Sequence, residues 1–271
     1  MGSGPFKEFG DPADPLVTGV AEEVRMGTAL RRAGLTYGVA SAVFVLGLVA
    51  ALVMGTNATN ATAAVRVLDD RFVDYEAGSH TDLDSFGPWQ VNFAGYGEVT
   101  TGAGVLRLAP AAANDAGVTH AALVTTAADF DHRCQVSRFV YSTVSQLRTG
   151  SPANPWEVGW VVWDYVDNER FSYGIVKPNG LEIGQRHPDY PGGQRFLHTS
   201  AQPSAGVGDR VDFQVKRKVK RSGATLTVIR VNGEGVARLN DSLHPYTHGR
   251  VGLYSEDAVV DARRVVVKDC S

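Results

Sequence analysis

The stretch PWEVGWVVWDYVDNERFSYGIVKPNG, residues 155–180, sets Trp156, Trp160 and Trp163 among the acids Glu157, Asp164, Asp167 and Glu169. Carboxylates on a strand beside aromatic rings are the equipment of a retaining glycosidase. That chemistry needs an acid and a nucleophile roughly 5–5.5 Å apart on one side of the sugar. Alternate residues of a strand share a face, so the two acids must have matching parity or a bulge between them. Strict alternation puts Glu157 with Gly159, Val161, Trp163 and Tyr165, and Asp164 with Val158, Trp160 and Val162. Neither face holds two acids, and Asp167 and Glu169 fall at or beyond the turn. No catalytic residue is assigned. The rings have a second use. VGWVVW is apolar at both parities, as a strand covered on both faces reads. Trp160 and Trp163 therefore point to opposite sides, one into the core and the other toward a ligand face or beneath a loop. Trp156, Trp160, Trp163 and Tyr173 are the candidates for stacking on a ligand, with core packing as the alternative for each.

Other groups offer less. His187, Asp189 and Tyr190 lie in GQRHPDYPGGQRFLHTS, read as a long Gly/Pro-rich loop. Such loops serve as binding rims or as inert connectors, and Asp189 and Tyr190 join the ligand candidates on the first reading. His244 and His248 stand four apart, a spacing that suits a metal on a helix, but Pro245 makes HPYTH a loop and argues against zinc. No Gly-x-Ser-x-Gly elbow occurs. In VKRKVKRSG, Lys216, Lys218 and Lys220 share one face of a hairpin, either as a solvated edge that discourages strand pairing or as a docking patch for acidic surfaces.

These candidates must be positioned by a chain of 271 residues with a formal net charge of −3. That balance argues against nucleic-acid binding. Gly34 to Gly55 carries no charge, and an uncharged run of about 20 residues crosses a bilayer. Arg25, Arg31 and Arg32 precede it, and no Lys or Arg follows until Arg66. The positive-inside rule then gives a cytoplasmic segment at 1–33, a transmembrane helix at 34–55, a linker at 56–66 and an extracytoplasmic domain at 67–271, periplasmic or extracellular. The run is too long for a signal-peptide h-region and starts too far in, so an uncleaved signal anchor is expected. Gly34, Gly38 and Ala42, spaced by four, form a flat helix face that would let a second membrane helix approach. Asn57, Asn60 and Asn240 begin N-x-[ST] sequons, and the first two fall in a plain spacer. The two cysteines, Cys134 and Cys270, could form one bridge in an oxidising compartment or stay as buried thiols.

Beyond residue 67 short strand-like runs alternate with turn clusters, and KPNG, VNGE and KRSGA read as hairpin turns. The expected class is all-β, a sandwich or barrel. The order DDRFVDYEAG, FGPWQV, GVLRLAP, GWVVWDYVDNERFSYGIVKPNGLEIGQ, LTVIRVNGEGV and GRVGLYSEDAVVDARRVVV resembles the concanavalin A-like lectin/glucanase superfamily, which includes laminin-G-like, family-16-glucanase-like and 3-keto-disaccharide-hydrolase-like domains. The resemblance covers residues 68–270 and implies a jelly-roll sandwich of two curved antiparallel sheets. It also implies a concave face where sugars bind and a structural Ca²⁺ held by Glu76, the backbone of Gly78, and Asp261, with Asp74 as an extra ligand. The Glu-x-Asp-x-(x)-Glu run of the family-16 glucanases is absent from the outer part.

The expectation is a membrane-anchored, non-catalytic binding module. Its main form is an accessory subunit that docks on other membrane protein subunits, with the bilayer as its other partner. The alternatives are a lectin-like cell-envelope protein with a glycan partner, and a glycoside-hydrolase-like enzyme.

Overall fold

A computed structural model describes residues 65–271 of the protein. The segment at 1–33 expected to be cytoplasmic, the expected span at 34–55 with Gly34, Gly38 and Ala42, and the sequons at Asn57 and Asn60 lie outside the described residues. Among the described residues no helix is long and apolar enough to cross a membrane.

The alternating and continuous apolar runs become β1 (Val65–Asp70), β2 (Gly78–His80), β3 (Ser85–Phe86), β4 (Trp89–Phe93), β5 (Glu98–Gly102), β6 (Val105–Ala109), β7 (Ala121–Thr126), β8 (Cys134–Gln146) and β9 (Gly159–Asp167). They continue with β10 (Arg170–Lys177), β11 (Gly180–Arg186), β12 (Gln194–Ser200), β13 (Arg210–Val219), β14 (Thr225–Val231), β15 (Glu234–Asp241), β16 (Arg250–Glu256) and β17 (Ala258–Asp269). Two antiparallel sheets result. One runs β15-β14-β13-β8-β17-β6-β5-β2, with β1 pairing β17; the other runs β12-β11-β10-β9-β16-β7-β4-β3.

The sheets pack as a β-sandwich. Phe139, Tyr141, Val211, Phe213, Val215, Val265 and Val267 of the first sheet meet Val124, Val161, Trp163, Leu181, Ile183 and Leu253 of the second in one buried core. Each such side chain contributes about 1.5–3 kcal/mol by leaving water. Two glycines set the spacing. A Cβ on Gly174 would collide with the Phe213 ring, and one on Gly159 would crowd Tyr141 and Val260.

The turns at KPNG and VNGE close two-residue hairpins, with Lys177 opposite Gly180 and Val231 opposite Glu234. The Lys220 N–H donates to the Ala224 carbonyl at 2.8 Å and closes KRSGA. The long loop expected after β11 is instead a short connection, with a 3-10 turn at Pro191–Gly193, followed by the edge strand β12. That strand reads poorly in sequence because none of its side chains is fully buried, so RFLHTS shows no apolar alternation.

Cys134 opens β8 and Cys270 follows β17; the two strands are neighbours, and the sulfurs are bonded at 2.06 Å. The bridge closes a loop with a sequence separation of 136.

Candidate functional site

β9 does not alternate along its whole length. Asp164 has φ +52°, and the register of β9 shifts against both β10 and β16 around it. This bulge turns Asp164 inward, behind Trp163, where its Oδ1 lies 2.9 Å from Arg217 Nε. Arg217 shares the inner parity of Val211, Phe213 and Val215 on β13, and is fully buried between exposed Lys216 and Lys218. The basic run of the sequence therefore holds one interior cation among surface lysines. Arg217 also donates to the Thr247 carbonyl and to Gln135 Oε1. Burial pushes the Asp164 carboxyl up from its ordinary range, and Arg217 pulls the other way. The expectation that Asp164 shares a face with Trp160 is corrected by the bulge.

The outer face of the eight-stranded sheet, turned away from the core, is aromatic. Trp160 lies between Tyr173 of β10 and Tyr254 of β16, its ring centroid 5.1 Å from each. The pairing of Trp160 with Ile175 and with Tyr254 places them on one side. The Trp160 indole N–H donates to the Trp156 carbonyl at 2.8 Å. Tyr173 lies flat across β11 because residue 184 is glycine; a Cβ there would collide with the phenol.

Carboxylates edge this face. The Tyr173 hydroxyl donates to Glu182 Oε1 at 3.1 Å, Lys177 Nζ binds Glu182 Oε2 at 2.7 Å, and Gln194 donates to the Tyr173 oxygen. At the other end the Tyr254 hydroxyl donates to Glu256 Oε1 at 2.5 Å. Burial, reinforced by Glu256, raises Tyr254 well above the usual tyrosine range, and burial with Glu182 does the same for Tyr173. Burial also drives Glu256 up to about 8, against the Tyr254 hydrogen bond and with the neighbouring charges of Asp257 and Glu157 adding to it.

Glu157 and Asp257 meet through Arg148. Its Nε is 2.5 Å from Glu157 Oε1, its Nη2 is 2.9 Å from Asp257 Oδ2, and its Nη1 donates to the Asp115 carbonyl at 2.7 Å. Three acids, Glu157 ahead of β9, Glu256 at the end of β16 and Asp257 in the turn to β17, thus gather at one end of the face. The guanidinium occupies two of them, and Glu157, Glu256 and Asp257 are all 0% exposed. In this arrangement they are a sealed structural cluster, closed to a substrate.

The candidates read from sequence separate into groups. Trp160 and Tyr173 come together. Trp156 is in the lead-in to β9, half-buried, and its carbonyl accepts from the Trp160 indole. Trp163 is on the inner side, in the core near Phe213 at 6.4 Å between centroids, apart from Trp160. Asp189 and Tyr190 sit in the β11–β12 connection beside His187 and His244, away from Trp160. The residues proposed for calcium do not meet. Asp261 pairs with Arg107 of β6, which pairs with Thr100 of β5, and exposed Glu76 lies beyond, its carbonyl accepting from Thr101 Oγ1. Both Asp261 oxygens are taken by Arg107, at 2.6 and 2.9 Å. Glu76, Gly78 and Asp261 therefore do not fit a calcium ion.

Glu182, Tyr254, Glu256, Arg148 and the Asp164–Arg217 pair were missed. The parity of Arg217 with the apolar residues of β13 was the available signal; the others meet only across strands distant in sequence.

No protein-family model matches the sequence, and no curated protein matches it. Solved structures are similar at low identity. The carbohydrate binding module CBM66 from Bacillus subtilis has a TM-score of 0.45 and 10% identity, covering 67% of this chain and 95% of that one. The metal-free carbohydrate recognition domain of Emp46p has a TM-score of 0.49 and 7% identity, covering 72% and 99%. The Ca²⁺-bound exoplasmic/lumenal domain of VIP36 has a TM-score of 0.46 and 9% identity, covering 70% and 86%.

Proposed function

We propose that the protein is a membrane-anchored, non-catalytic binding module that recognises saccharide with the outer face of its eight-stranded sheet. The carrying observation is Trp160 flanked by Tyr173 and Tyr254 on the side of the sheet away from the core. Ring faces stack on the C–H faces of sugars, and Glu182 and Lys177 at the margin can bind hydroxyls. The sealing of Glu157, Glu256 and Asp257 around Arg148 favours binding over hydrolysis. The uncharged run at 34–55 supports the anchor, and the Cys134–Cys270 bond supports an oxidising compartment outside the cytoplasm.

Trp160 is 3% exposed and Tyr173 0%, so a saccharide must open the face to reach them. The same burial, with Ile175 also at 0%, favours a second reading in which the occupant is polypeptide and the module assembles with other membrane subunits. One preparation tests both. The full-length chain, purified in mild detergent, is screened on a glycan array, and hits are titrated by tryptophan fluorescence against Trp160→Phe and Tyr254→Ala. Saccharide binding weakened in both variants supports the first reading. Stoichiometric co-purifying subunits without glycan binding support the second, and the absence of both glycan binding and co-purifying subunits overturns both readings.

A further inference from the structure

The connection after β11 and the connection between β15 and β16 meet at the open margin of the sandwich, where β12 and β15 are the edge strands of the two sheets. Buried polar contacts hold them there. Gln185 of β11 donates through Nε2 to the His244 carbonyl at 2.9 Å and to Asp241 Oδ2 at 3.1 Å, and accepts from the Tyr190 hydroxyl at 2.6 Å. The Tyr246 hydroxyl donates to the Arg186 carbonyl at 2.6 Å.

On this frame the imidazoles of His187 and His244 stack with centroids 3.8 Å apart and planes 19° from parallel. Asp189 Oδ2 is 3.6 Å from His187 Nδ1 and 3.9 Å from His244 Nε2. One ligand atom from each residue lies within 4.8 Å of the others. A tetrahedral ion with bonds of about 2.0–2.2 Å needs its donors roughly 3.4 Å apart. Because an ion lies in the plane of each ligating imidazole, one ring must tilt out of the stack, and Asp189, whose side chain is 68% exposed, must turn toward it to close that difference. Ligation through His187 Nδ1 exchanges its hydrogen bond from the Asp189 N–H, 3.2 Å long, for the metal.

We propose that His187, Asp189 and His244 bind a divalent transition-metal ion, with zinc favoured by the two-imidazole, one-carboxylate donor set over calcium, which takes six to eight oxygens. Water or a ligand group fills the remaining position, which opens to solvent on the Asp189 side. The ion clips the β11–β12 connection to the β15–β16 connection and so ties together the free margins of the two sheets. The site involves neither Trp160 nor the face proposed for saccharide.

The test is a zinc titration of the full-length chain against a chromophoric chelator, with thermal unfolding followed in parallel. One equivalent of zinc should bind and raise the melting temperature, and calcium should do neither. His187→Ala and His244→Ala should weaken binding at least about tenfold, the scale on which even supporting residues act. Asp189→Asn alters an exposed side chain, so it keeps the fold and should also weaken binding and lose the zinc-dependent melting shift. Cobalt in place of zinc should give the visible absorption of a four-coordinate nitrogen–oxygen site in the wild type only. Absence of a stoichiometric equivalent, or zinc affinity unchanged in folded Asp189→Asn and His244→Ala chains, overturns the proposal; the second result would assign the metal to other surface histidines.

Discussion

Glu256 provides a test of the sealed acid cluster that needs no ligand. Its carboxyl is fully buried and accepts from the Tyr254 hydroxyl at 2.5 Å, while Oε2 has no hydrogen-bond partner among the described residues. Burial, with Asp257 and Glu157 nearby, moves it from the ordinary 4.5 to about 8. A group whose folded value lies above its unfolded value stabilises the fold while it is protonated in both states. That contribution is complete below the unfolded value and is lost as pH rises through the folded one. Stability should therefore fall between pH 4.5 and about 8. At about 1.4 kcal/mol per pH unit, the loss is on the order of 5 kcal/mol, an upper bound because water entry and local relaxation soften it. Glu256→Gln keeps the shape and removes the ionisation. Urea unfolding of wild type and variant from about pH 5 to about pH 9 reads the effect directly. Asp164 and the surface acids titrate in both proteins and drop out of the difference. The variant should gain on the wild type by several kcal/mol across the window. Parallel curves would mean that Glu256 ionises freely, and the reasoning about a sealed, water-poor end of the face would fail.

Two further substitutions examine the face and its support. Gly184→Ala should displace the fully buried Tyr173 ring and cost about 1–3 kcal/mol, with a change in the Trp160 emission measured beside the denaturation midpoint. Arg148→Met should strand the carboxylates of Glu157 and Asp257 without their shared cation and cost about 3–5 kcal/mol by thermal or chemical unfolding.

Short-range pattern determined a good deal. The all-β class followed from short apolar runs between turn clusters, and the KPNG, VNGE and KRSGA hairpins followed from turn chemistry that depends on a few adjacent residues. The doubly apolar run VGWVVW required both faces of β9 to be covered, and so set Trp160 and Trp163 on opposite sides. Strict period two separates Glu157 from Asp164 on paper, but the bulge at Asp164 breaks that period.

Only the tertiary structure decided where that period breaks and which distant residues meet. The bulge at Asp164 is fixed by register against β10 and β16, and that register depends on strands far along the chain. Arg217 became an interior cation because β13 presents its inner parity to that bulge. Arg148 brings together Glu157 and Asp257, and His187 meets His244 where the β11–β12 and β15–β16 connections come together. The same pairing separated Glu76 from Asp261 and gave Asp261 to Arg107. Local pattern tells each residue which way to point. Long-range strand order decides what it finds there, because neighbours across a sheet are chosen by the packing of the whole sandwich.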